Sequence, residues 1–316
     1  MAGDVEVSSV MKANPRGPAM AVAHAFAQLH AAGIVPDYEV LLANGYKRFV
    51  GPGQVVLDIG AHSGQHLDQL VELVGLGGRA IAFEPIPALA AALVDKYRNH
   101  SNVEIRNVAL ADHTGHSDFV ILQEALGMSG FKQRVGSGDQ GAVRISVQVN
   151  TLDREAAALK RLDYIKIDIE GAEIKCLRGA QRTVARHRPI ISVEYGKPAY
   201  SLFGSSNMTL FEWAHETGYT LSDLFGNLIS DAQEWATVCD CSFWDYFLVP
   251  EERRQGWMSL FGTAVLPSAF GPLTMSSHAY SASGRQRIGR RLSTFLRGSR
   301  HAVRHIRRTL RWPPKV

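Results

Sequence analysis

From residue 54 to residue 249 the chain alternates short β-branched runs with segments whose apolar residues recur at helical spacing. That alternation is the signal for a mostly parallel sheet with helical crossovers. Strands are expected over 55–59, 79–83, 103–109, 164–168 and 190–194, and helices over 64–74, 87–99, 172–186 and 209–217. Two further β-like runs, 118–122 and 143–149, have no helix between them and read as a hairpin insertion with Gly-rich 136–141 as its loop. Segments 219–224 and 243–249 complete the sheet as an antiparallel edge pair. Residues 1–53 are expected to form one or two helices packing on the sheet. The run 19–35 is Ala-rich but broken by His24, Gln28 and His30, so it reads as a helix outside any bilayer. No internal repeat is visible.

Charge divides the chain more sharply than hydropathy does. The net charge of +4 combines 30 Asp and Glu, all at or before Glu252, with 34 Lys and Arg, of which 13 follow Glu252. Up to residue 252 there are therefore 21 basic against 30 acidic residues, a net of −9, and beyond it +13. The expected organisation is a helical extension over 1–53, a catalytic domain over 54–252, a Gly/Ser/Ala/Pro-rich linker over 253–284 and a basic segment over 285–316. Ten arginines and no acid occupy 285–311. There Ile288, Leu292, Phe295, Leu296, Val303, Ile306 and Leu310 recur at helical spacing, the profile of an amphipathic helix on an anionic membrane surface. Docking on its own domain, disorder and a polyanion partner are the alternatives. The acidic body argues against a nucleic-acid substrate. Three cysteines, two of them in the pair Cys239 and Cys241, are too few for a disulfide scaffold or a structural zinc site. Without a basic apolar leader or a membrane-spanning stretch, a cytoplasmic protein is expected, peripheral to the inner face of the membrane if the tail binds there.

Candidate chemistry begins where the first strand runs into a helix through V-V-L-D-I-G-A-H-S-G, Val55 to Gly64. Gly60 and Gly64 permit close backbone approach and a tight turn beside Ala61. The acid, Asp58, precedes the glycines, and the G-x-G-x-x-G spacing of dinucleotide enzymes is absent. A cationic sulfonium with an amino-acid tail gives an acid at that place a purpose. Glu84, closing the second strand, can accept hydrogen bonds from both ribose hydroxyls, which does not by itself separate NAD from S-adenosylmethionine. Pro85 would flank the adenine, and the turn Asn107, Ala109 and Leu110 would meet its face and edge, although Asn107 also reads as an ordinary turn residue.

The fourth strand, D-Y-I-K-I-D-I-E-G-A-E from Asp163 to Glu173, has two faces at period two. Asp168, Glu170 and Glu173 cluster at its carboxyl end, where ligands of such folds bind. Helix capping is the alternative purpose for Glu170 and Glu173. Removing a hydroxyl proton during methyl transfer calls for a base. Asp168 is the first candidate, with Glu170 beside it and His62 on the glycine loop as the second. Glu194 points toward the same crevice. A divalent ion held by Asp168 and a neighbouring acid would serve instead of a base, and the sequence does not decide between them.

Taken together, V-V-L-D-I-G-A, A-F-E-P-I-P at Ala82 to Pro87, N-V-A-L-A-D at Asn107 to Asp112, V-N-T-L-D at Val149 to Asp153 and Y-I-K-I-D-I-E-G-A-E at Tyr164 to Glu173 resemble the FkbM-like family of S-adenosylmethionine-dependent methyltransferases over about residues 54–250. The resemblance implies a Rossmann-like class I methyltransferase fold with a seven-stranded sheet, and O-methylation of sugar or natural-product hydroxyls. It would place cofactor contacts at Asp58, Gly60, Glu84 and the turn from Asn107 to Leu110. One departure is His62, where the family commonly has Asn. The acceptor is expected to be a small molecule or a glycolipid, the latter suiting a membrane-bound tail. An NAD-linked oxidoreductase and a non-catalytic nucleoside-binding or membrane-tethering protein are the competing readings.

Overall fold

The computed structural model describes residues 17–33, 35–122, 142–241 and 243–261. Two helices, α1 (Pro18–Ala31) and α2 (Tyr38–Tyr46), precede the first strand, β1 (Val55–Ile59). Crossovers through α3 (Gln65–Val74) and α4 (Pro87–Lys96) connect it to β2 (Arg79–Phe83) and β3 (Val103–Arg106). Next come β4 (Ala109–Leu110), the hairpin strands β5 (Gly115–Leu122) and β6 (Ala142–Asn150), α5 (Leu152–Glu155) and β7 (Tyr164–Ile167). Helices α6 (Glu173–Arg178) and α7 (Gln181–His187) lead to β8 (Ile190–Glu194), α8 (Lys197–Tyr200) and α9 (Asn207–Glu216). The described chain ends with β9 (Tyr219–Ser222), β10 (Leu228–Ile229), α10 (Ala232–Val238), β11 (Asp245–Pro250) and α11 (Arg254–Phe261).

The main sheet has the order β10-β9-β11-β8-β7-β1-β2-β3. Strands β8, β7, β1, β2 and β3 are parallel, and β11 and β9 join antiparallel. This is the expected Rossmann-like arrangement with one extra strand. The sheet has eight strands rather than seven because the two residues of β10 pair with β9. β9 and β11 pair antiparallel as expected, with β11 next to β8 and only the two residues of β10 outside β9. The hairpin insertion is present as antiparallel β5 and β6, which join β4 in a separate three-stranded sheet.

Period-two alternation gives the main sheet two faces. Leu57, Ile59, Ile81, Phe83, Ile165, Ile167, Ile191 and Val193 pack toward α1, α6, α7, α9 and α10. Val56, Ala80, Ala82, Tyr164, Ile190 and Phe247 pack toward α2, α3 and α11. The expected helix 172–186 is two helices. A Cβ at Gly179 would fall on the Ala111 carbonyl, and Asp153 accepts the backbone N–H groups of Arg182 and Thr183, so α7 starts afresh under a cap supplied from α5. The first residues of the expected linker, up to Phe261, are packed helix instead. Trp257 is 1% exposed, its ring lies 5.3 Å from Phe49 and 5.4 Å from Phe247, and its indole N–H donates to Ser222 Oγ at 3.0 Å. The packed body therefore extends to Phe261. Among the described residues no helix is long and apolar enough to cross a membrane. The basic segment 285–311 and the loop 136–141 lie outside the described residues.

Candidate active site

Three strand ends converge on the loop after β1. Gly60 has φ +83°, and a Cβ there would fall on the Asp168 carbonyl oxygen, so the ends of β1 and β7 touch only because this residue has no side chain. The Gly60 and Ala61 N–H groups both donate to the Phe83 carbonyl, at 3.0 and 3.1 Å, which pins the loop to the end of β2. Beyond them His62 takes φ +49° and donates its N–H to Glu84 Oε2 at 2.8 Å. The other Glu84 oxygen accepts the Ile86 N–H at 2.8 Å. Glu84 is 3% exposed, and burial lifts its carboxyl to about 7 despite those two donors. Each oxygen keeps a lone pair for a hydroxyl donor.

A polar row crosses the helix-α2 face of the sheet at the carboxyl ends of the parallel strands. Lys166, 3% exposed, sits across from Asp58 in the β1–β7 register. Its ammonium lies 3.1 Å from Asp168 Oδ2 and 3.7 Å from Asp58 Oδ1. The first is a charge-assisted hydrogen bond; the second is an ion pair beyond hydrogen-bond reach. Both Asp58 oxygens are buried without a hydrogen-bond partner among the described residues, and burial raises the carboxyl although Lys166 opposes it. Burial also works to raise Asp168, but the Lys166 ammonium and hydrogen bonds with Glu194 and Lys166 bring it below the ordinary carboxylate range. Lys166 itself is raised: burial would lower it, and the flanking Asp168 and Asp58 outweigh that. Asp58 is thus the carboxylate left short of a cation.

The row continues outward. Asp245 pairs with Glu194 in the β8–β11 register and is raised well above the ordinary range by burial and by Asp168. Asp168, Glu170 and Glu194 each offer one carboxylate oxygen, and these lie within 4.8 Å of one another. Such a set can hold a divalent cation or accept hydrogen bonds from a polyhydroxylated molecule. Glu170 takes φ +60°, followed by Gly171 at +106°. Glu173 stabilises that turn by accepting the N–H groups of Ile169 and Gly171 on one oxygen, at 3.2 and 2.9 Å, so its evident work is structural. His62 Nε2 is buried without a hydrogen-bond partner among the described residues, and burial lowers the imidazole toward its neutral form.

The structure thus brings together Asp58, Gly60, Ala61, His62, Glu84, Asp168 and Glu170, all named by the sequence. Others make structural contacts. A Cβ at Gly64 would meet Leu93 Cδ2 at 2.8 Å, so that glycine fits helix α3 against α4. Asn107 donates its amide to the carbonyls of Glu84 and Pro85, at 2.8 and 3.0 Å, holding the β2 exit in shape. Ala109 and Leu110 are 4% and 2% exposed, Ala109 packing beside Ile86 and Leu110 in the main core. Sequence reasoning missed Lys166, Asp245, Glu39 and His66. Glu39 Oε2 lies 2.6 Å from His66 Nε2, and His66 Nδ1 shares a 3.0 Å hydrogen bond with the Tyr46 hydroxyl. Only Lys166 left a signal, as a lysine on the Asp168 face of a central strand.

A family model for the methyltransferase FkbM domain matches residues 58–221, just over half of the 316 residues. No curated protein matches the chain. Among solved structures, the methyltransferase FkbM from Methylobacillus flagellatus KT is 14% identical with a TM-score of 0.41, covering 78% of this chain and 59% of that one. The chain therefore spans under two thirds of that protein. Fibrillarin from Aeropyrum pernix, with natively bound S-adenosyl-L-methionine, is 12% identical at TM-score 0.37, covering 63% of this chain and 68% of that one. An S-adenosylmethionine-dependent O-methyltransferase from Thermotoga maritima is 12% identical at TM-score 0.33, covering 60% and 54%.

Proposed function

Because the chain belongs to the FkbM methyltransferase family, we propose that it moves a methyl group from S-adenosylmethionine to a hydroxyl of a sugar, glycolipid or natural-product acceptor. The residues present fit this donor. The Asp58 carboxylate, which has no hydrogen-bond partner among the described residues, suits the ammonium of the amino-acid end, and Gly60 lets a ligand approach the backbone. Glu84 has lone pairs free for a ribose diol. When bound, the donor supplies an electrophilic methyl on a sulfonium.

The observation that carries the O-methyl reading is the group of carboxylates beyond the glycine loop, with Asp168 kept ionised by Lys166. As the acceptor oxygen takes up the methyl group that the donor would release from its sulfur, the hydroxyl proton would pass to Asp168. A carboxylate held this low is a weak base, so it orients the hydroxyl first and takes the proton late in the step. Glu170 and Glu194 accept hydrogen bonds from neighbouring hydroxyls. His62, neutral and lacking a partner at Nε2, is the alternative proton acceptor.

A second reading is favoured by the mutual reach of Asp168, Glu170 and Glu194, which suits a divalent ion that lowers the hydroxyl's pKa. One experiment separates the two. Asp168→Asn should lower turnover by about 10²- to 10⁴-fold with donor affinity kept, and dialysis against EDTA should leave the wild type active. Activity lost to EDTA and restored by Mg²⁺ or Mn²⁺ would replace the base with a metal, and unchanged turnover in Asp168→Asn would remove the assignment.

The arginine-rich segment 285–311 is proposed to rest on anionic membrane, which would bring a glycolipid acceptor within reach. Flotation of the full chain, but not of residues 1–284, with anionic liposomes is the expected result. The acidic pocket disfavours nucleic acid as acceptor, since phosphates would be repelled.

A further inference from the structure

Helix α2 precedes the segment matched by the family model, yet it holds a carboxylate against the start of α3, the helix that follows the glycine loop. Glu39, in its first turn, pairs with His66 at 2.6 Å. His66 is the second residue of α3, directly after the glycine loop, and is 5% exposed. Its other nitrogen is engaged by Tyr46, so the ring is fixed at both ends and fixes Glu39 in turn. The Glu39 side chain is 41% exposed. The hydrogen bond from His66 holds it below the ordinary carboxylate range, so it stays charged. It lies within electrostatic reach of Lys166 and Asp168 and acts on Asp58, His62 and Asp245 as well. Those groups mark the ends of β1 and β7 and the start of β11.

We infer that Glu39 is a positioning charge of the donor site: a fixed anion, supplied by α2 and clamped by His66, that favours the cationic sulfonium over the neutral thioether left after transfer. The inference rests on the S-adenosylmethionine reading above. Methyl transfer removes one positive charge from the bound donor. An anion that is already in place, and needs no reorganisation, stabilises the donor and not the product. It thereby assists exchange of spent for fresh donor. Because Glu39 is partly solvated, its effect is screened and should be modest.

The test is calorimetric titration of the full chain with S-adenosylmethionine and, separately, with S-adenosylhomocysteine. Glu39→Gln keeps an acceptor for His66 and removes the charge, so the preference for the cationic ligand should fall about three- to tenfold, whereas Glu39→Asp should retain it. An unchanged ratio, or equal loss of both ligands as a purely structural role would give, overturns the inference. Should Glu39→Gln not fold, the wild-type ratio in about 0.05 M and about 0.5 M salt decides, and a salt-independent ratio overturns it equally. A wild type that binds neither ligand fails the methyltransferase reading itself, which is a different result.

Discussion

Replacing Lys166 by methionine keeps the apolar stem of the side chain as far as Cε and deletes the ammonium between Asp58 and Asp168. At an effective dielectric near 20, contacts of 3.1 and 3.7 Å correspond to about 5 and about 4 kcal/mol of gross attraction. Much of that offsets the cost of burying the ammonium, which methionine does not incur. What remains is the penalty of leaving carboxylates without their cation, about 3–5 kcal/mol for a broken buried pair. The lower end applies, since the Asp168 side chain is 33% exposed and reaches water. A loss of about 3 kcal/mol should lower Tm by about 6–12 °C in a body of this size. The loss should also depend on pH. Without Lys166, burial raises both carboxyls above their unfolded values, so the cost is full where they are ionised and shrinks as pH falls and the folded state takes up protons. Urea unfolding of both proteins at pH 8 and pH 5.5, without ligand, measures this. A loss under about 1 kcal/mol at pH 8, or one equal at both pH values, would refute the argument.

Glu84→Gln should weaken S-adenosylmethionine binding tenfold or more, since an amide N–H then opposes the backbone donors of His62 or Ile86. The Glu84 carboxyl is raised to about 7, so it adds stability as pH falls through 7 toward its unfolded value, and the variant should lose that limb of the stability profile. Gly60→Ala should cost about 3 kcal/mol or more, combining the strain of a left-handed backbone with the forced parting of β1 from β7; a melt within 2 °C of wild type, measured with about 1 °C precision, would contradict it. Trp257→Ala should cost about 3–5 kcal/mol by calorimetry or urea titration, whereas a neutral result would return residues beyond 252 to linker status.

The main-sheet strands were legible because each carries its own periodic signal, and the acids at their ends were legible because ligand crevices in such sheets form there. Asp58, Glu84 and Asp168 could be named for that reason. What escaped was decided by contacts distant in sequence. Whether Lys166 would be buried between two carboxylates depends on the β1–β7 register, which no local pattern contains. Glu39 meets His66 across 27 residues through the packing of α2 on α3. Asn107 carried a turn residue's signature and does a turn residue's work, while the resemblance pointed to the ligand. The break at Gly179 was hidden because a helical pattern runs through it, and only the Ala111 carbonyl above it shows why the residue there is glycine. His62 departs from asparagine yet sits at φ +49°, a region both residues tolerate better than most, so the exchange leaves the loop's backbone intact.

The interleaving of β11 between β8 and β9 sets a practical limit on dissecting this protein. The segment matched by the family ends at residue 221, within β9, whereas β11 lies wholly downstream of it. An excised 58–221 fragment would carry part of β9 with no neighbour to join it to the sheet, and β8 would present a bare row of amide and carbonyl groups to any chain nearby. Such a fragment should self-associate. What is contiguous in homology is therefore not autonomous in folding, and recombining this chain with its relatives will succeed only where the exchange carries β9 and β11 together.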